Sequence, residues 1–482
     1  MTETTLTYRS EIVASAAEVH AWHSNPGAFE RLTPPWMNVR IQDGVGGIKS
    51  GDWKRLRVGA GPIGVPWTLV HRNAEDGTGF VDEQTDGPFA SWRHEHRFLS
   101  DGPERSVLED RITYQLPFAA VGQLVAGRQV ERRLDDLFRF RHKRTQADVA
   151  RHAVTGLARP QRIAISGASG LVGSQLVPFL RAGGHDVVRL VRRRPSAADE
   201  ISWDPATDQI DAASLEGMDA VIHLAGVSIA GGRWTRARKA SILSSRVQGT
   251  GLLAKTLTRL QRPPRVLVSA SGIGCYGDAG NAPLTEESPQ GSGFLADVCR
   301  VWEEATAPAA ASGIRVVLPR FGVVLAGSGG LLARMVPLFR FGLGGPLGSG
   351  EQFMSWIALD DLLGMLLQAI ADDRLAGPVN AVAPQAVSNR AFAETLGRVL
   401  SRPAVLRAPA SALKLVAGEL ADELLLASQL AQPTRLEDVG FSFAFPTLED
   451  ALRHELGRYH GNRGAEVPGP LSRAAVQPSH RH

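Results

Sequence analysis

The chain has 482 residues, of which 43% are hydrophobic and 21% charged, and its formal net charge is +4. This composition is typical of a globular protein, and the length predicts two to four domains. Because part of the basicity falls in the C-terminal tail, the net charge gives no argument for a nucleic-acid partner.

The N-terminal sequence and the cysteine content indicate which cellular compartment to expect. The opening "MTETTLTYRSEIVAS" lacks a basic region followed by an apolar one, so we expect no secretory signal. No run of about 18 apolar residues occurs, so we expect no membrane span. Cys275 and Cys299 are too few for a disulfide framework. We therefore expect a cytoplasmic protein.

Residues 1–148 are predicted to form an α+β domain. An alternating strand is followed by short helices, by β-like runs separated by turn residues, and by one long charged helix. This order, with the segments "FERLTPPW", "GPFASWRHEHRF" and "EDRITYQLPF", resembles the START-like (SRPBCC) superfamily. The resemblance implies a helix-grip fold, in which a curved sheet wraps the last helix around a cavity for an apolar ligand.

One strand of this domain carries histidines. In "SWRHEHRF", Trp92, His94 and His96 share one face of the strand, because successive side chains alternate. If the tryptophan face points inward, two histidines point into the cavity, which indicates a polar group on its ligand. The 13 histidines show no metal-ligand spacing along the chain, so the sequence predicts no metal site.

The pattern of predicted secondary structure changes after a linker predicted at residues 149–161. Residues 162–374 alternate buried strands with helices, which predicts a doubly wound parallel sheet. Residues 375–460 are predicted to form a small, mostly helical C-terminal domain, and residues 461–482 a disordered tail.

The segment "GASGLVG" is predicted to bind a dinucleotide. Gly167 permits a tight turn after a strand, Gly170 lets the backbone approach a pyrophosphate, and Gly173 lets the following helix pack on the strand. The helix N-terminus then faces the anion, together with the intervening loop residues Ala168, Ser169, Leu171 and Val172. The alternative is a glycine-rich turn in a fold that binds no nucleotide.

The second strand ends in Arg192, Arg193 and Arg194, where an NAD site usually has an acidic residue. Guanidinium groups bind a 2′-phosphate well, so the sequence favours NADP over NAD, with Arg192 and Arg193 as ligands. The alternative is a solvated basic turn.

The glycine spacing resembles the extended branch of the short-chain dehydrogenase/reductase superfamily, which contains epimerases and dehydratases. The segments "DAVIHLAG", "VQGTGLLAKTL" and "SASGIGCYG" fit the same branch. The resemblance implies further residues at the cofactor, namely Leu224, Ala225, Gly226, Arg246 and Ser269.

Most polar groups of the family's catalytic set are absent. The family uses Ser, Tyr and Lys with an Asn; Ser271 matches the serine, with Ser269 as the alternative. Alignment on "WEEA" places Leu295 at the tyrosine and Cys299 at the lysine, and Arg246 replaces the asparagine.

Segments such as "RWTRARKASILSSRVQGT" and "GLGGPLGSGEQFMSWIALDDLL" resemble the sugar-nucleotide-epimerase-like subfamily, which also lacks the catalytic tyrosine and lysine. Its C-terminal domain has no assigned function.

Tyr276 is an alternative proton donor, if Arg246 or Lys239 lies near it; otherwise it packs over the nicotinamide or a substrate ring. Met354 and Trp356 are expected to line the substrate side. The preferred function is an NADP-dependent oxidoreductase or epimerase-like enzyme acting on a small organic substrate. The alternatives are a non-catalytic NADP-binding regulator or ligand sensor, and a carrier or cyclase that works through the START-like domain.

Overall fold

The computed structural model describes residues 3–59, 64–75, 77–117, 119–157 and 159–459, so the predicted tail lies outside the described residues. The chain divides into two compact units, with the division between Gly156 and Leu157. Among the described residues, no helix is long and apolar enough to cross a membrane.

The N-terminal unit contains one antiparallel sheet of seven strands and three helices. The strands are β1 (Thr4–Ile12), β2 (Val39–Val45), β3 (Trp53–Val58), β4 (Val65–Glu75), β5 (Gly79–Asp86), β6 (Ser91–Ser100) and β7 (Ser106–Gln115), in the sheet order β1-β7-β6-β5-β4-β3-β2. The helices are α1 (Ala16–Ser24), α2 (Ala28–Arg31) and α3 (Ala119–Val154). This is the predicted order of elements; the START-like assignment stays a prediction.

The long helix α3 packs on the sheet through one apolar side. Leu134, Leu137 and Phe138 are buried against Trp92 and Ile112 of the sheet. The helix continues through residues 149–154, where Val149 and Ala150 are still buried. The first part of the predicted linker is therefore helical.

The second unit is built on parallel strands. Its strands are β8 (Arg162–Ser166), β9 (Asp186–Val191), β10 (Glu200–Asp204), β11 (Gln209–Ile210), β12 (Ala220–His223), β13 (Val266–Ser269), β14 (Ser271–Gly272), β15 (Pro283–Leu284), β16 (Arg315–Phe321), β17 (Val323–Leu325), β18 (Phe353–Met354), β19 (Trp356–Ala358), β20 (Gly377–Ala381), β21 (Val387–Ser388) and β22 (Leu430–Ala431).

Ten α-helices are described in this unit, besides short 3-10 turns and one π-helical segment. They are α4 (Gly173–Ala182), α5 (Arg236–Leu257), α6 (Phe294–Glu304), α7 (Ala307–Ala311), α8 (Gly330–Arg340), α9 (Leu359–Ala371), α10 (Asn389–Leu400), α11 (Ala410–Ala417), α12 (Thr434–Asp438) and α13 (Leu448–Leu456).

The main sheet has the order β11-β10-β9-β8-β12-β13-β16, with β14 and β20 also paired to β16. All of these pairs are parallel except β10 with β11. The central strands are buried on both faces, which explains their continuous apolar sequences. The order reverses between β8 and β12, so their carboxyl ends form the crevice in which such sheets bind ligands.

The boundary predicted after residue 374 does not coincide with an edge of this sheet. Strand β20 lies beyond that boundary and pairs with β16 along its length. The remaining C-terminal residues are mostly helical, and α10 and α13 bury apolar side chains in a second core with Trp356 and Phe339. Residues 157–458 therefore form one compact unit.

A buried ion pair joins α2 to α3, and it generates a stability prediction. Arg31 donates from Nε and Nη2 to the two carboxylate oxygens of Asp148, each at 2.7 Å, and both side chains are at most 2% exposed. Asp148→Ala leaves a buried charge, so we expect the N-terminal unit to lose about 3–5 kcal/mol. Urea-dependent hydrogen exchange of peptides from residues 1–156 measures this loss.

The control is the exposed pair of Arg139 and Asp135, one turn apart on α3. Arg139→Ala is expected to cost less than about 0.5 kcal/mol, since solvated pairs contribute little. Equal effects of Asp148→Ala and Arg139→Ala would contradict the assignment.

Candidate functional site

The glycines after β8 have the spatial roles that their spacing predicts. Gly167 has a φ of 73°, and a Cβ there would lie 2.8 Å from the amide nitrogen of Ala225. A Cβ at Gly173 would lie 2.7 Å from the Cα of Ala168. At Gly170 a Cβ would meet only the carbonyl oxygen of Gly167, at 3.2 Å, and otherwise open space. Tight packing at two glycines thus leaves the third accessible.

The open side of this loop faces the N-terminal end of α4. Ser169 and Gly170 are exposed, while Leu171 and Val172 are half-buried and pack against the main core. The amide of Ser174 donates to the carbonyl oxygen of Gly170 at 2.9 Å, which begins the helical hydrogen bonding. The free amides of such a first turn form an anion site.

The segment after β12 forms the other side of the crevice. Leu224 donates its amide to the carbonyl oxygen of Ser166 at 3.2 Å, so this segment lies beside the glycine loop. Ala225 and Gly226 follow, and the guanidinium of Arg246 lies against Gly226, since a Cβ there would be 3.4 Å from its Cζ. The structure therefore brings these predicted cofactor residues together.

Arg246 is held in place rather than directed outward. Its Nη1 donates to the carbonyl oxygens of Val227 at 3.0 Å and Ile242 at 3.1 Å, and its guanidinium stacks over Trp302. Burial lowers its pKa. Ser269, the other predicted residue of this region, is fully buried, and no partner of its hydroxyl is found among the described residues.

The arginines after β9 differ from one another in their contacts. Arg193 donates from Nη1 to Glu200 Oε2 at 2.8 Å, and its Nη2 contacts the other oxygen. This ion pair holds the pKa of Glu200 to about 2. Within the part of the chain that the structure describes, the exposed side chains of Arg192 and Arg194 have no such partner. The two predicted phosphate ligands are therefore not equivalent: Arg193 is already paired and Arg192 is available.

Ser271 belongs to a buried network that the sequence did not reveal. Its hydroxyl donates to Glu303 Oε1 at 2.6 Å. Arg320 reaches the same carboxylate through Nε and Nη2, each at 2.9 Å. Glu303 is the first glutamate of the segment "WEEA", and Arg320 lies within the largely apolar strand β16. The signal for both was a charged residue at a position that should be buried.

Tyr276 does not face the crevice as expected, because its side chain is only 2% exposed. Its hydroxyl accepts from Nη1 of Arg320 at 3.0 Å and donates to Asn380 Oδ1 at 2.8 Å. Burial raises its pKa to about 12 despite the nearby Arg320. The expected cations, Arg246 and Lys239, are not its partners. Lys239 instead pairs with Glu419 at 2.6 Å.

The positions of the family's tyrosine and lysine are apolar. Leu295 and Cys299, on α6, are 7% and 5% exposed. Burial and the nearby Glu303 raise the pKa of Cys299 to about 11, and its thiol donates to the carbonyl oxygen of Gly272 at 3.5 Å. Leu295 has no ionisable group, and the thiol of Cys299 keeps its proton at neutral pH, so neither replaces the tyrosine–lysine pair.

The two predicted substrate residues have different environments. Trp356 is fully buried in the second core, where its indole donates to the carbonyl oxygen of Gln385 at 2.9 Å. The expectation that Trp356 lines a substrate site is therefore wrong, because β19 turns this side chain into the core. Met354 is half-buried, and its sulfur accepts from Asn389 Nδ2 at 3.1 Å.

A cavity of about 520 Å³ lies beside Leu295. It is lined mainly by polar groups from the loop after β14, from the segment between α8 and β18 and from the C-terminal region, which include Asp278, Gln352, Lys414 and Glu423. Glu423 accepts from the amide of Leu295 at 2.7 Å, and so caps the start of α6. Sequence reasoning missed this cavity because its walls are far apart in the chain.

In the N-terminal unit, the histidine face of β6 points inward as the alternation suggests. Trp92, His94 and His96 are each at most 6% exposed. The sequence did not indicate that acidic residues of the neighbouring strands meet these histidines.

Comparison with known proteins supports the interpretation of the second unit. Residues 163–381 match the NAD dependent epimerase/dehydratase family, and residues 408–455 match a domain of unknown function, DUF1731. An epimerase family protein of Mycobacterium bovis is 45% identical over 296 residues, which cover 61% of this chain and 98% of that protein. The human epimerase family protein SDR39U1 is 36% identical, with 61% of this chain and 98% of that protein covered.

Two solved structures extend the comparison. The crystal structure of human SDR39U1 (isoform2) with NADPH aligns with a TM-score of 0.57 at 36% identity, over 61% of this chain and 99% of that one. The structure of a nucleoside-diphosphate sugar epimerase from Corynebacterium glutamicum aligns with a TM-score of 0.77 at 33% identity, over 94% of this chain and 90% of that one. The glycine loop and the sheet order agree with the matched family, and the chain covers these relatives almost from end to end. The chain therefore belongs to the NAD dependent epimerase/dehydratase family.

Proposed function

We propose that the second unit binds NADP(H) at the glycine loop and a small organic substrate in the cavity beside Leu295, as an oxidoreductase of the epimerase family. The observation that carries the proposal is the open space at Gly170, at the N-terminus of α4 and at the reversal of the strand order. When bound, the nicotinamide supplies or accepts a hydride. The residues of the chain bind and orient both molecules.

The choice of NADP(H) rests on Arg192. Arg192 follows β9, where the ribose of a bound dinucleotide lies in folds of this type. Its side chain is exposed and has no ion-pair partner among the described residues. A 2′-phosphate would provide that partner through charge-assisted hydrogen bonds. The human relative of 36% identity, crystallised with NADPH, supports the same cofactor.

The substrate proposal rests on the position and lining of the cavity. The sequence alignment places Leu295 at the family's tyrosine, and Leu295 is part of the wall of this cavity. Lys414, which pairs with Asp422 at 2.7 Å, is a cation in its wall. Polar walls favour a hydroxylated or charged organic molecule over an apolar one.

A second function is favoured by one observation. The hydroxyls of Ser271 and Tyr276, the predicted catalytic pair, are both engaged in hydrogen bonds inside the protein. A protein that binds NADP(H) and a ligand as a sensor, without hydride transfer, needs no free proton donor. The N-terminal unit, as the predicted START-like domain, would in either case bind an apolar ligand.

The cofactor proposal predicts the effect of Arg192→Ala. This change should raise the Kd for NADPH by about 10- to 100-fold, because it removes charge-assisted hydrogen bonds to the 2′-phosphate. The Kd for NADH should stay within about twofold. Isothermal titration calorimetry measures both. Arg194→Ala is the matched control, and equal losses for NADPH and NADH in Arg192→Ala would contradict the choice of cofactor.

The buried network predicts the effect of Tyr276→Phe. The change deprives Arg320 and Asn380 of a partner, so we expect a loss of stability of about 1–3 kcal/mol. The Kd for NADPH should not change, since the hydroxyl bonds to Arg320 and Asn380 and to no residue of the glycine loop. Thermal unfolding and NADPH titration test this. Unchanged stability together with loss of turnover would instead show Tyr276 to be a catalytic residue.

The function itself is tested by turnover. The full chain is mixed with NADPH and with a panel of small hydroxylated and charged carbonyl compounds, and NADPH consumption is followed by absorbance. Gly170→Asp, which places a carboxylate in the phosphate space, is the negative control and should abolish NADPH binding. Consumption by the wild type alone supports the oxidoreductase. Binding of NADPH without consumption across the panel supports the sensor.

A further inference from the structure

The register of the N-terminal sheet brings histidines and aspartates of four neighbouring strands together. On β4 and β5, His71 lies opposite Asp82; on β5 and β6, Asp82 lies opposite His94. On β6 and β7, His96 lies opposite Asp110. Directly opposed side chains of antiparallel strands have Cβ atoms about 4.5–5.5 Å apart. The cluster is therefore a direct result of strand pairing.

Three of these side chains, Asp82, His94 and His96, bring possible metal-ligand atoms close together. Asp82 Oδ2 lies 3.2 Å from His96 Nε2 and 3.7 Å from His94 Nδ1. One ligand atom of each of the three residues lies within 4.8 Å of the others. Ligand atoms of a tetrahedral metal site with bonds near 2.0–2.2 Å are about 3.3–3.6 Å apart. The spacing in the cluster fits such a site after small side-chain adjustments.

A second carboxylate lies behind both imidazoles. Asp110 Oδ1 lies 3.0 Å from His94 Nε2 and 2.7 Å from His96 Nδ1, the latter without hydrogen-bond alignment. The other oxygen of Asp110 lies 2.7 Å from His142 Nε2. In metal sites a ligating histidine usually gives its second ring nitrogen to a carboxylate, which fixes the ring and its tautomer. Here one carboxylate oxygen of Asp110 lies within 3.0 Å of the second ring nitrogen of both histidines.

The cluster is buried but has one more accessible edge. The side chains of His94 and His96 are 2% and 6% exposed, and Phe80 stacks on His96 with ring centroids 4.1 Å apart. The side chain of Asp82 is 14% exposed. Asp82 is therefore the most exposed of the three side chains, and Phe80 covers one face of His96.

We propose that Asp82, His94 and His96 bind one divalent transition-metal ion, and that Asp110 positions the two imidazoles. Imidazole and carboxylate ligands suit zinc, iron or cobalt rather than magnesium or calcium. Three protein ligands leave a coordination position open for water or for a polar group of a ligand. The sequence predicted no metal site; the ligands proposed here come from two strands whose register the spacing along the chain does not show.

The test titrates Co²⁺ into the tag-free full chain after treatment with a chelator. We expect one Co²⁺ per chain, with visible absorption bands typical of nitrogen and oxygen coordination, displaced by Zn²⁺ but not by Mg²⁺. Asp82→Asn and His94→Gln should each raise the Kd for Co²⁺ by at least about 100-fold, because losing even a supporting partner costs 10–100-fold. Asp110→Asn should raise it by about 10–100-fold and keep the absorption bands.

Two controls separate this site from other histidines. His20→Gln, on α1, and the double variant His480→Ala, His482→Ala, in the C-terminal tail, should bind Co²⁺ like the wild type. Near-ultraviolet circular dichroism checks that each variant is folded. Absence of the bands in the wild type overturns the proposal whatever the variants do. Binding that Asp82→Asn and His94→Gln leave unchanged also overturns it.

Discussion

The loop after β8 touches the backbone of the segment after β12 so closely that no side chain fits at Gly167. Much of the second unit depends on this contact. It brings the ends of two neighbouring strands to one crevice at the reversal of the strand order, and it points the first turn of α4 toward that crevice. Gly173 lets α4 pack tightly against the same loop, whereas the space at Gly170 stays open. A binding site for a phosphate is thus produced by backbone packing, with few side chains of its own.

Beside the crevice, the side chains form a closed network where relatives with a tyrosine and a lysine would have a proton relay. Glu303 accepts from Ser271 and from Arg320, and Arg320 donates in turn to Tyr276. Each polar group is satisfied, which a buried network requires if it is to stabilise the fold. The polar atoms of this region therefore support the sheet around β16, and Leu295 presents an apolar surface where a phenol would stand.

Local patterns were enough for the parallel sheet, the glycine loop and the inward face of β6, because each is set by residues that are close in sequence. The orientation of Tyr276 could not be predicted in this way, since its partner Asn380 is 104 residues away on β20. The burial of Trp356 could not be predicted for a similar reason, because it depends on helices near the C-terminus. The histidine and aspartate cluster required the register of four strands, which the alternation within a single strand does not contain.

Glu423 ties two distant parts of the chain together, because it accepts the first two amides of α6 at 2.8 Å and 2.7 Å and also lines the cavity. The π-helical segment that carries it, Ala421–Leu426, is thus both a wall of the cavity and the cap of the helix beside it. Outward movement of this wall would leave two amides at the positive end of the helix without their carboxylate. A molecule in the cavity would therefore lie beside a helix end whose first two amides are already occupied by Glu423 and not available to it.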